Sequence, residues 1–262
     1  MLFALWRFKF FILNSIKNDL TNNFKRSSIG SLWVILNPLS QVLIYSLILS
    51  KIISAKLPNS SNEYGYSIYL MAGLLCWNHF QAILTRSTSI FIDNSNYLKK
   101  MQFPRSTIPA ILYGSEVLNN LLLFISIIFI ALILQYPLNL GVLFIVPFMI
   151  FLLGLFTISI GIFLGVINVF IRDVSQLLAI LLQLLFWFTP IVYPESIVPS
   201  YLLKFLKINP MYHFVKIYQN MICLGEFPKS TVLLSLILIT SASLIFAMKF
   251  YKNSIDEIID SI

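Results

Sequence analysis

Between Glu116 and Arg172 lie 55 consecutive residues without a charged side chain, and shorter charge-free runs cover 27–50, 64–85, 174–194 and 230–248. A soluble domain carries about 25% charged residues, whereas these 262 residues hold 11% charged and 58% hydrophobic side chains at a mean hydropathy of +0.88. A buried core alone cannot absorb that much apolar surface. Crossing about 30 Å of hydrocarbon takes roughly 20 helical residues at about 1.5 Å each, so each shorter run fits one helix and the long run fits two. The sequence therefore predicts an all-α integral membrane protein with a single transmembrane domain over 1–262. Its six transmembrane helices are expected near 32–50, 67–90, 108–134, 140–170, 175–190 and 231–248.

A net charge of +8 could suggest nucleic acid, but the basic residues are scattered through short loops and form no stripe. No nucleic-acid partner is expected, and the charge reads as a topology signal. With the N-terminus inside, Arg7, Lys9, Lys17, Lys25, Arg26, Arg86, Lys99, Lys100, Arg105, Arg172, Lys249 and Lys252 lie on the inner side. Lys51, Lys56, Lys204, Lys207, Lys216 and Lys229 lie outside, several of them in one long loop. The excess inside predicts that both termini are cytoplasmic. Arg7 and Lys9 interrupt the first apolar run and no small-residue cleavage site follows it, so no cleavable leader is expected.

Within the N-terminal segment 1–31, Ile12, Ile16, Leu20 and Phe24 recur every fourth position between polar residues, the pattern of an amphipathic helix. Such a helix is expected along the inner membrane surface, or else as a solvated lead-in packed on neighbouring spans. Asn37-Pro38 should kink the first span, and Gln135, Tyr136, Pro137, Leu138 and Asn139 mark a tight turn dividing the long run. Gly161 and Gly165 form a GxxxG pair on span four, which allows close backbone approach, within the chain or between subunits. After the fifth span the outer segment 191–229 contains two short amphipathic stretches, 201–207 and 211–218, joined at Asn209-Pro210. They are expected as interfacial or re-entrant helices.

Missing chemistry narrows the function. The chain has no Gly-Lys pair and hence no phosphate-cradling loop, no His-Glu-x-x-His set and no Gly-x-Ser-x-Gly elbow. Cys76 and Cys223 fall at different depths, and His79 and His213 lie far apart, so neither a disulfide nor a metal site is expected. Glu116 is the single acid within a predicted span. Without a basic intramembrane partner it makes a poor proton relay, and it is expected to reach the inner interface or to be bonded by a neighbouring helix.

A series of short segments runs the length of the chain in order. It begins with Lys25-Arg26-Ser27-Ser28-Ile29-Gly30-Ser31-Leu32-Trp33 and Asn37-Pro38, then Ala72-Gly73-Leu74-Leu75-Cys76-Trp77. Leu98-Lys99-Lys100 with Phe103-Pro104-Arg105 follows, then Phe170-Ile171-Arg172-Asp173, Phe188-Thr189-Pro190-Ile191-Val192-Tyr193 and Asn209-Pro210-Met211. Together they resemble the membrane subunit (permease) of type-2 ABC exporters for bacterial polysaccharides and polyol phosphates, which handle O-antigen, capsule and teichoic acid. The resemblance implies a homodimer in the bacterial inner (plasma) membrane that exports a lipid-linked glycan. It also implies a separate ABC ATPase subunit that binds ATP and Mg, with no cofactor held by this chain.

The same resemblance implies that the inner segment 96–105 is a coupling helix for the ATPase, carried by Tyr97, Leu98, Lys99, Lys100, Met101, Phe103 and Arg105, with Arg172 and Asp173 as a second contact. Apolar anchors within a basic rim suit such docking, although retention of positive charge inside explains the same lysines. A glycan conduit calls for aromatics beside small polar groups. Phe186, Trp187, Phe188 and Tyr193, with Tyr45 and Trp77, are candidates, and an aromatic belt at the headgroup level is the alternative reading. Pro190, Pro194, Pro210 and Tyr212 are candidates for an outer gate, or for a fixed cap. A drug or lipid cargo keeps the fold. An intramembrane transferase would need clustered His, Asp or Glu, and a secondary transporter would show internal repeats.

Overall fold

A computed structural model describes residues 6–22, 36, 40, 64–100 and 104–261. Apart from Leu36 and Ser40 the expected first span, with Asn37-Pro38 and Tyr45, lies outside the described residues, as do Met101, Phe103 and the Lys100 side chain. No strand occurs among the described residues. The helices are α1 (Lys9–Asn22), α2 (Gly65–Asp93), α3 (Ser95–Lys100), α4 (Thr107–Ile133), α5 (Val142–Phe170), α6 (Val174–Trp187), α7 (Ser200–Leu206), α8 (Pro210–Gln219) and α9 (Ser230–Ser261).

Three of these helices, α4, α5 and the Ser230–Ile258 part of α9, are long and apolar enough to cross a membrane. At 29 residues α5 is about 43 Å long, more than the ~30 Å of hydrocarbon. The apolar α6 has only 14 residues, about 21 Å, and stops at Trp187 where the sequence suggested helix to 190. Thr189 and Pro190 follow, and proline cannot donate to the helical ladder. α2 is equally long at 29 residues but less apolar, because it carries Asn78, His79, Gln81 and Arg86.

α2 is the central element, packed against α4, α5, α6 and α8. Its tightest seam is with α5. A Cβ on Gly165 would come within 2.6 Å of the Ser87 carbonyl oxygen, and one on Gly154 within 3.1 Å of the His79 ring. Gly161 likewise lies directly over Ser87. The GxxxG pair therefore serves a contact inside the chain. Two buried polar side chains reach across this seam: His79 Nε2 lies 3.2 Å from the Ile150 carbonyl. Asn168 Nδ2 donates to the Thr88 carbonyl at 3.0 Å, while its Oδ1 accepts from the Ser175 amide at 3.2 Å, which closes the α5–α6 turn.

Two apolar clusters fill the bundle. The larger joins α2, α4, α5 and α8. The smaller gathers Phe91, Leu98, Ile108, Val166, Tyr251 and Ile258 at the end where α2 finishes and α4 begins. α9 reaches this cluster because its helix continues past 248, where the sequence suggested a mixed-charge tail. Ala247, Tyr251 and Ile258 keep a buried face through the polar region. At the opposite end, Asn139 Nδ2 donates to the Gly225 carbonyl at 3.2 Å and Tyr136 OH to the Cys223 carbonyl at 3.0 Å. These bonds fasten the α4–α5 turn to the α8–α9 connection.

An exposed helical Gly→Ala change stabilises by about 1 kcal/mol. Gly165→Ala should do the reverse and destabilise by about 1–3 kcal/mol through overpacking against the α2 backbone, read as a lowered midpoint in thermal unfolding of the purified protein.

Candidate functional site

A groove of about 520 Å³ opens between α2 and α6. On α2 the positions Leu74, Trp77, Asn78, Gln81 and Thr85 share one face at helical spacing, and α6 answers with Ala179, Leu182, Gln183, Phe186 and Trp187. Trp77 is 3% exposed and its ring meets Phe186 edge-on at 5.5 Å. Phe186 in turn meets Trp187 edge-on at 5.5 Å. The Trp77 indole N–H donates to Gln81 Oε1 at 3.0 Å, which fixes both side chains in the groove wall. The lining thus combines three linked aromatic rings with the amide and hydroxyl groups of Asn78, Gln81, Gln183 and Thr85. Such a surface offers flat apolar platforms beside hydrogen-bonding edges.

The chain leaves α6 through a tightly held reversal. Tyr66 OH donates to the Val192 carbonyl at 2.8 Å, and Tyr69 OH to the Pro190 and Tyr193 carbonyls at 3.3 Å each. Gln219 Nε2 donates to the Pro190 and Ile191 carbonyls at 3.2 and 3.3 Å. Tyr193 OH returns to the Trp187 carbonyl at 2.7 Å. Of the gate candidates, Pro190 is buried, Pro194 precedes a short 3₁₀ turn, Glu195–Ile197, and Pro210 opens α8 behind the Asn209 cap, whose side chain accepts from the Met211 amide. Tyr212 is fully buried. Its hydroxyl accepts from Lys216 Nζ at 3.3 Å, and Lys216 pairs with Glu195. Burial pushes the Glu195 carboxyl up, but the hydrogen bonds from Lys216 and Tyr212 and the nearby lysine charges outweigh it and hold the group below its usual range.

At the other end, α3 is pinned by its middle. Leu98 is 3% exposed within the cluster that contains Phe91, Tyr251 and Ile258, and Phe91 stacks on Tyr251 at 5.6 Å. Burying such a leucine is worth about 1.5–3 kcal/mol. Tyr97 and Lys99 are left exposed on either side of it, as are Arg172 and Asp173 in the α5–α6 turn. Arg105 is tied to Asp256 of α9 at 2.9 Å.

Glu116 has a basic partner after all. Arg86 of α2 donates through Nη1 to Glu116 of α4 and through Nη2 to both carboxylate oxygens of Asp19 in α1, at 3.1 and 2.9 Å. The side chains of Arg86 and Glu116 are 38% and 10% exposed, so the acid is the deeper member. α1 is held to α4 a second way by Ile16, which lies over Gly114. The apolar face expected on the membrane surface is thus turned against the bundle, while Trp6, Phe10 and Leu13 remain exposed on the other side.

The model of the family described as ABC-2 type transporter matches residues 12–222. The chain belongs to that family. Among similar proteins, the O-antigen export system permease protein RfbA of Myxococcus xanthus is 26% identical over 98% of this chain and 97% of its own length. An RfbA of Klebsiella pneumoniae is 30% identical over 79% and 78%. The polysialic acid transport protein KpsM of Escherichia coli is 22% identical over 93% of each.

In this ABC-2 chain the structure brings together Trp77, Phe186 and Trp187 from separate parts of the sequence. Phe188 is exposed beyond the end of α6, outside the groove lining. Reading the sequence alone missed the polar stripe on α2, the Tyr66, Tyr69 and Gln219 clamp, and the Asp19–Arg86–Glu116 triad. The stripe was visible as Asn78, Gln81 and Thr85 at three- and four-residue spacing; the clamp and the triad join residues whose pairing no spacing reveals.

Arg86→Met should leave Glu116 buried without its cation. A fully buried pair broken this way costs about 3–5 kcal/mol, and with Arg86 partly exposed a loss of about 1–3 kcal/mol is expected in thermal unfolding. Arg86→Met with Glu116→Gln should recover most of it.

Proposed function

We propose that this ABC-2 chain is the membrane subunit of an ATP-driven exporter that moves a lipid-linked polysaccharide from the cytoplasmic side across the bacterial inner membrane. The observation that carries the reading is the end-to-end similarity to permeases named for O-antigen export and polysialic acid transport. The α2–α6 groove supplies chemistry to match, because aromatic platforms interleaved with amides bind sugar faces and hydroxyl edges without a single tight register. The chain pairs with a second copy, six spans per subunit, with the groove contributing to the conduit. The 191–229 segment covers its outer mouth.

Energy comes from a separate ABC ATPase, where ATP and Mg bind; the sequence here has no phosphate-cradling loop. That partner docks at the end bearing α3, through exposed Tyr97 and Lys99 with Arg172 and Asp173 of the adjacent turn. Leu98 acts from inside: its anchorage under Tyr251 and Ile258 makes α3 move with the bundle, so a push on α3 reaches α2 and α9. Both termini then lie in the cytoplasm. α1 rests at the inner surface with Trp6 and Phe10 toward lipid, where Lys9 sits 4.5 Å from the Trp6 ring centre.

Trp187→Ala should lower export of the cognate lipid-linked glycan roughly five- to tenfold, as expected for losing an exposed aromatic anchor, while co-purification of the ATPase is unchanged. Tyr97→Ala with Lys99→Glu should do the converse and reduce ATPase co-purification roughly tenfold in a chain that retains its unfolding midpoint. Normal export in both variants would overturn the assignment of the groove and of the docking face.

A further inference from the structure

The connection between α8 and α9 folds back over α8 and encloses a cleft of about 340 Å³. Lys207, His213 and Lys216 enter it from the α7–α8 side, and Phe227, Lys229 and Val232 from the α9 side. Lys216 is committed to Glu195, and Glu226, the acid in the lining, accepts from Asn220 Nδ2 at 3.2 Å. Lys207 and Lys229 are exposed, and neither forms an ion pair with a described residue. Lys207 also acts on Glu195 at longer range, and Glu226 brings one carboxylate to the cleft. The lysines and His213 still outnumber that acid in a cleft lined otherwise by Tyr212, Ile217, Asn220, Phe227, Pro228 and Val232, and Lys207 and Lys229 are its exposed cations without a close ion pair to a described residue.

The depth of the cleft is set by the chain itself. Lys229 immediately precedes Ser230, where the apolar span of α9 begins, so the cleft lies where hydrocarbon gives way to headgroups, whichever side of the membrane this end faces. Below it α9 exposes Leu234 and Leu238, and Phe227 is 61% exposed at its rim. The wall is preformed. Gly225 takes a φ of +65° against Asn139, where a side chain would be strained, and its carbonyl accepts from Asn139. The Phe227 ring lies over Gly141.

We infer that this cleft binds the headgroup of an anionic phospholipid. The phosphate sits between the Lys207 and Lys229 ammonium groups, as charge-assisted contacts favour, and the acyl chains run down the exposed leucines of α9. The bound lipid ties the α7–α8 hairpin to the start of α9. A zwitterionic headgroup carries its own cation into a site already lined by lysines and binds worse. The inference stands on the membrane location alone and is independent of the cargo.

The test is thermal unfolding of the purified full chain in detergent, with phosphatidylglycerol, with phosphatidylcholine of the same acyl chains, or with inorganic phosphate. Phosphatidylglycerol should raise the midpoint by about 2–4 °C, and the other two should not. Lys207→Gln with Lys229→Gln should abolish most of that rise and leave the midpoint in phosphatidylcholine unchanged, and each single variant should reduce it. Lys249→Gln with Lys252→Gln, also exposed but at the far end of α9, should keep it. An equal rise with phosphatidylcholine, a rise with phosphate alone, or a full rise in the Lys207 and Lys229 double variant would overturn the inference.

Discussion

The close seam between α2 and α5 is the contact on which the rest of the arrangement depends. In a membrane no hydrophobic gradient drives helices together, so close packing and interhelical hydrogen bonds must do it. Here Gly154, Gly161 and Gly165 let α5 approach α2 to backbone contact, and His79 and Asn168 are bonded across the seam. With that face of α2 spent on α5, the face bearing Asn78, Gln81 and Thr85 is turned toward α6, and a polar stripe that would be costly in lipid becomes the wall of a groove.

Two restraints at opposite ends keep this core in register with the parts that work. The Asp19–Arg86–Glu116 triad ties the N-terminal helix to α2 and α4 at one end. Tyr66, Tyr69 and Gln219 hold the backbone at 190–193 at the other. α2 contributes to both, through Arg86 toward its Asp93 end and through Tyr66 and Tyr69 toward its Gly65 end, so in the proposed mechanism a displacement beside α3 would be carried along this helix to the backbone at 190–193. That geometry suits a permease driven from one face and opening at the other.

Much of the fold was legible because hydrocarbon leaves few options: a long uncharged run must form helices, and Pro137, Asn139 and Pro190 mark where they stop. The aromatic residues of α6 were legible as candidates through their concentration at the end of the fifth charge-free run and through the family resemblance, not through rarity, since 15% of the chain is aromatic. Pairings were not. Glu116 looked isolated because Arg86 lies 30 residues away and Asp19 farther still, and only packing brings them together. Leu98 looked like a docking anchor because, with Met101 and Phe103, it is an apolar residue within a basic rim of Lys99, Lys100 and Arg105. Its burial depends on α9 continuing past 248, which a run of charges concealed even though Tyr251 and Ile258 kept the helical spacing.

Reconstitution of the chain with its cognate ATPase in sealed vesicles, supplied with a lipid-linked glycan, tests the central claim most directly. Glycan should cross the membrane only when ATPase, ATP and Mg are all present, and vesicles holding the chain alone should show none. Directional transport by the chain without the ATPase, or an assembled complex that hydrolyses ATP and moves no glycan, would contradict the account.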